Sequence, residues 1–113
     1  MSKCVTEAAP YLKLLGTCSS KLIKQIIQEA DSSLLNALHE VLVNVNEGNV
    51  ILTQTARSQL RKRKKIFGLL LKNLKTLSSK RQKFKKYGPV IFPIVLPSVI
   101  KQLNDGSAYP NEA

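Results

Sequence analysis

A chain of 113 residues with 43% apolar side chains has room for one small domain plus tails, and with three Tyr, three Phe and no Trp its core must be largely aliphatic. The net charge of +11 comes from one stretch: residues 57–86 hold nine Lys and four Arg with no acid, whereas 1–56 and 87–113 each sum to −1. Two cysteines, Cys4 and Cys18, exclude a disulfide framework and give no metal-ligand spacing with the lone His39.

In chain order, Thr6–Leu15 is a short segment interrupted by Pro10, with Tyr11–Leu15 one or two helical turns ending at Gly16. A Ser of Cys18-Ser19-Ser20 is placed to cap a helix whose face is Leu22, Ile23, Ile26, Ile27 and Ala30. Asp31-Ser32-Ser33 re-caps, and Leu34, Leu35, Leu38, Val41, Leu42 and Val45 form the clearest amphipathic helix, with Gly48 suited to a left-handed end. Val50-Ile51-Leu52 is expected to fold back over the helices, and Thr53 or Thr55 to cap the next one.

That fourth helix, about Gln54–Leu77, sets Leu60, Ile66, Phe67, Leu70, Leu71, Leu74 and Leu77 on one broad side. Arg57, Arg61, Lys64, Lys65, Lys72 and Lys75 cluster roughly opposite, while Arg63 intrudes on the apolar arc and Gly68 marks an expected bend. Lys80-Arg81-Gln82-Lys83-Phe84-Lys85-Lys86 continues the charge with little apolar support, as a frayed turn or flexible arm. Pro89 to Ile100 is strongly apolar with a proline every fourth residue. It is too short for a spanning helix, which needs about 20 apolar residues, and is expected to be extended over 89–97. A short helix over Ser98–Leu103 and a disordered tail complete the chain.

The fold expected is therefore all-α: a small bundle of about four helices over 6–77, with 57–77 its basic amphipathic helix. A basic arm (78–88), an apolar Pro-rich segment (89–103) and a disordered tail (104–113) follow. Met1–Pro10 lacks the continuous apolar run of a signal peptide, and the sparse cysteines fit a reducing setting. No phosphate loop, paired carboxylates or Ser/His/Asp set is present, so neither an enzyme nor a cofactor or metal is expected.

The basic stretch admits a plain reading as a solvated face or, at Arg61-Lys62-Arg63-Lys64-Lys65, a nuclear-import signal. Its acid-free length points further, to neutralisation of a polyanion, double-stranded DNA ahead of RNA, by Arg57, Arg61, Lys62, Arg63, Lys64, Lys65, Lys72, Lys75, Lys80, Arg81, Lys83, Lys85 and Lys86. Lys in excess of Arg suits point contacts with backbone phosphate better than bidentate reading of guanine, so binding without sequence preference is expected. Few aromatics (Phe67, Phe84, Tyr87) interleave the charges, which disfavours a base-stacking platform. For Val90, Ile91, Phe92, Ile94, Val95 and Leu96 the alternatives are a strap on the core, a partner-binding anchor on a capsid shell protein, and a membrane-interface segment seeking anionic lipid. Rival functions are thus a membrane-active entry protein and a capsid-assembly adaptor.

The helix pair Leu22–Ala30 and Leu34–Val45, the link Asn44-Val45-Asn46-Glu47-Gly48-Asn49-Val50-Ile51-Leu52-Thr53 and the Lys/Arg-rich helix behind it resemble a small protein of Maverick/Polinton elements and the related adintoviruses. In that group the link often reads Asn-Val-x-x-Gly-Asn-Val-x-Leu-Thr; the resemblance spans roughly 11–100. The ending, Lys80–Lys86, Gly88 and Val90-Ile91-Phe92-Pro93-Ile94-Val95-Leu96-Pro97, is similar to adenovirus core protein X, the precursor of mu, where a cationic stretch precedes Gly-Gly and a Pro-interrupted apolar tail. These resemblances imply a virion core component that condenses or packages double-stranded DNA, in the virion and in the host nucleus during assembly. Only one Gly stands here, so a maturation-protease site does not carry over, and 11–56 has no counterpart in mu.

Overall fold

Most helix starts are fixed by short polar side chains. Ser19 accepts from the Leu22 amide, Asp31 from the Leu34 amide at 2.9 Å and Thr53 from the Ala56 amide at 3.1 Å, each satisfying an N–H that a first turn leaves without a carbonyl. The computed structural model describes residues 2–72 and 76–105, and its elements are all helices: α1 (Lys3–Glu7), α2 (Ala9–Thr17), α3 (Ser20–Glu29), α4 (Ser32–Asn46), α5 (Gln54–Lys62), α6 (Lys64–Leu71) and α7 (Leu77–Asp105). The helical class holds. In place of the expected bundle of about four, five short helices gather against one long one, with α1 packed on α4 and α2. The tail expectation over 106–113 lies outside the described residues.

The first segment divides at Ala8 rather than at Pro10, which sits in the opening turn of α2 where its missing N–H is not needed. Gly16 does not end that helix. A Cβ at Gly16 would lie 3.1 Å from Leu96 Cβ and 3.4 Å from Pro97 Cδ, so the bare backbone lets α7 approach closely. Gly48, at φ 82°, closes α4 in the left-handed region as its sequence position suggests, with its amide and that of Asn49 returning to the Val45 and Asn44 carbonyls. The core is built on α4, where Leu34, Leu35, Ala37, Leu38, Val41, Leu42 and Val45 are all buried, with Ile23 and Ile27 of α3 beside them.

The expected single helix 54–77 is interrupted at Arg63, whose backbone turns to φ −108°, ψ 25°. An unbroken helix would carry Arg63 into the apolar arc. The break leaves Arg63 exposed while Phe67 and Leu70 bury and Leu60 is half-buried. Gly68, the expected bend, lies inside α6 instead. Leu74 of the expected apolar side lies outside the described residues, and Leu77 is an exposed residue opening α7.

The larger correction concerns 78–103. The expected arm and the expected extended apolar segment are two halves of the 29-residue α7. Pro89, Pro93 and Pro97 stand four residues apart, so all three lie on one stripe, and Pro93 and Pro97 are exposed. Each internal proline costs about 3 kcal/mol by removing a donor and crowding the preceding turn. The opposite side buries Phe84, Ile91, Phe92, Val95, Leu96 and Val99, and burial of one such side chain is worth roughly 1.5–3 kcal/mol. Packing therefore overrides the proline penalty.

Of the link, Val50 is buried and Leu52 half-buried, but Ile51 is 80% exposed, so only part of that trio folds inward. Gln102, near the end of α7, holds the link: its Oε1 accepts from the Ile51 amide at 3.0 Å and its Nε2 donates to the Asn49 carbonyl at 2.8 Å. At the other terminus the Ser2 amide and hydroxyl both donate to the Glu40 carboxylate, tying α1 to α4.

Candidate nucleic-acid interface

The cations expected on one helix occupy two places. Arg57, Arg61 and Lys62 ride on α5, Arg63 is the break, and Lys64 and Lys65 open α6 with Lys72 at its far end; all seven are exposed. Along α5, Gln54, Arg57, Ser58 and Arg61 line one open groove. We call this region the elbow. Lys80, Arg81, Lys83 and Lys85 are half-buried on the first half of α7, with Lys86 exposed. Lys75 lies outside the described residues.

The elbow is assembled against its own electrostatics. Within α5, Arg57 and Arg61 stand four residues apart as like charges, an arrangement that costs a helix about 0.2–0.5 kcal/mol per pair. Little packing compensates, since Ala56 is the one buried residue of α5. No acid stands in the first turn of α5 or α6, and α6 begins without a side-chain cap. Among the described residues the one ion pair is Lys3 with Glu7 at 3.9 Å, so no described cation of 57–86 is neutralised by a carboxylate.

On α7 the charges have neighbours. Arg81 Nη1 donates to the carbonyls of Ile27, Gln28 and Ala30 at 3.0, 3.0 and 2.6 Å, closing the end of α3 with a cation where the helix dipole is negative. Lys80 Nζ donates to Asn36 Oδ1 at 3.0 Å and Lys85 Nζ to Gln28 Oε1 at 2.6 Å. Lys83 and Lys86 stand 5.6 and 5.3 Å from the centre of the Tyr87 ring. Reading the sequence as a uniform cationic run missed these attachments. The only signal for them was a Gln, an Asn and a helix end lying far back in the chain.

The apolar candidates are not a surface. Ile91, Phe92, Val95 and Leu96 are fully buried and Val90 and Ile94 half-buried, because they form the inner side of α7. Four of the six thus pack in the core, as the strap alternative expected, but as part of a helix. No described helix is long and apolar enough to cross a membrane. His39 has a structural bond, its Nε2 donating to the Leu71 carbonyl at 3.1 Å at the end of α6, and Cys4 Sγ approaches the Ser33 carbonyl at 3.6 Å. Among the described residues no three His, Cys, Asp or Glu side chains gather as metal ligands would. Comparison with known protein families, with curated proteins and with solved structures found no match.

Proposed function

We propose that this chain is a sequence-nonspecific DNA-binding protein that neutralises and condenses double-stranded DNA as a core component of a virion. The observation that carries the binding is the uncompensated charge: thirteen cations in thirty residues, none of those described paired with a carboxylate. Duplex DNA presents one negative charge per about 1.7 Å and sheds condensed counterions when such a surface meets it, a driving force indifferent to base sequence. The virion setting, and the host nucleus as the place of assembly, rest on the resemblance to the Maverick/Polinton and adenoviral core proteins. The rival membrane and capsid-adaptor readings lose support, because the apolar residues they would use are interior.

Mobility shifts with duplex DNA, duplex RNA and heparin across a salt series test the reading. With 6–10 phosphates contacted, affinity for duplex DNA falls by about 10³–10⁵ between 50 and 200 mM salt. A flat salt response, or no shift with any of the three polyanions, overturns it.

A further inference from the structure

The two cationic groups differ in how they are held, and the difference assigns them different work. We infer that the elbow, Arg57, Arg61–Lys65 and Lys72, is the surface that grips the phosphates, and that Lys80, Arg81 and Lys85 of α7 form an internal latch fastening that helix to α3 and α4. The inference rests on the proposed polyanion binding and names the part of the basic segment that performs it.

The elbow side chains make no hydrogen bond to a described residue, stand in solvent, and crowd one another. An approaching phosphate has nothing to displace there and relieves repulsion as it binds. Along α5, Arg57 to Lys62 spans about 7.5 Å of helix rise, the length of about two phosphates of one strand, and Lys64 and Lys65 follow beyond the break. On α7 a phosphate has to compete. Arg81 already serves three carbonyls at the end of α3, and taking it away leaves those of Gln28 and Ala30 without it. Lys80 and Lys85 bridge to Asn36 and Gln28. All three still contribute long-range attraction, but their heads are committed to neighbouring elements, whereas Lys83 and Lys86 touch only Tyr87 of their own helix.

Two combined variants separate the roles. Arg61→Gln, Lys62→Gln, Arg63→Gln, Lys64→Gln and Lys65→Gln together remove five of the seven elbow charges while keeping polar stems. Lys80→Gln and Lys85→Gln together remove the latch lysines. Anisotropy with a fluorescent DNA duplex over a salt series reads the slope of log affinity on log salt. The elbow variant is expected to lose about 4–5 units of slope with its helical circular dichroism and melting midpoint unchanged, and the latch variant less than about 1 unit with a lowered midpoint. On the unaltered protein, acylation footprinting is expected to show Lys62, Lys64 and Lys65 protected by the duplex while Lys80 and Lys85 react as before. Equal protection of both groups, or a latch variant that loses about 2 units, overturns the division while leaving DNA binding standing. Wild-type protein that shows no salt-dependent binding sinks both.

Discussion

Helix α5 and the first half of α7 are both dense in Lys and Arg, yet α5 buries Ala56 alone whereas α7 buries Phe84, Ile91, Phe92, Val95, Leu96 and Val99. Anchoring decides what charge becomes. A helix pinned to the core holds its polar side chains within reach of neighbouring elements, so Lys80, Arg81 and Lys85 of α7 act as a cap and bridges. A helix with one buried residue leaves its cations in water, where their mutual repulsion is the main local force. The same residue types thus serve cohesion in one place and readiness for an outside counterion in the other.

The comparison breaks first at its strongest point. Phe92→Ala removes a fully buried ring packed 5.9 Å from that of Phe84 and should cost about 3–5 kcal/mol in urea denaturation. A loss below about 1 kcal/mol would mean that α7 is not pinned there. Next comes Arg81→Met, which keeps the apolar stem but leaves three carbonyls at the end of α3 without their cation; about 2 kcal/mol should be lost. An unchanged urea midpoint would remove Arg81 from the latch. Gln102→Ala leaves the Ile51 amide and Asn49 carbonyl without partners, for about 1–2 kcal/mol, and hydrogen exchange at Ile51 should speed up if the side chain protects it. The smallest effect sharpens the other side. Arg61→Gln with Lys65→Gln should leave stability unchanged or raise it by up to about 0.5 kcal/mol, and added salt should raise the wild-type melting midpoint as it screens the elbow. A midpoint that falls with salt would contradict repulsion at α5.

How much of this was legible in the chain depended on range. The caps Ser19, Asp31 and Thr53 and the turn at Gly48 act over three or four residues, and their positions in the sequence identify them. The apolar repeat of α4 did the same for the core. The break at Arg63 was visible only as a misfit, a cation in an apolar arc, and its resolution needed the packing of Phe67 and Leu70. At α7 local reasoning failed. Pro93 and Pro97, read one at a time, are lost donors, whereas the fourfold spacing of Pro89, Pro93 and Pro97 puts all three on a single stripe and spares the buried one. The location of the charge was plain from composition. Which cations are spoken for was not, because the acceptors of Lys80, Arg81 and Lys85 lie 44 to 57 residues earlier in the chain.

That outward line of prolines also sets an order of assembly. A peptide of this sequence alone faces an uncompensated penalty of about 9 kcal/mol from three ring constraints, on top of the ordinary difficulty of nucleating a helix in water. Helix α7 therefore winds only once α2, α3 and α4 offer it a cradle, and its guanidinium clasp on α3 is fastened at that final step.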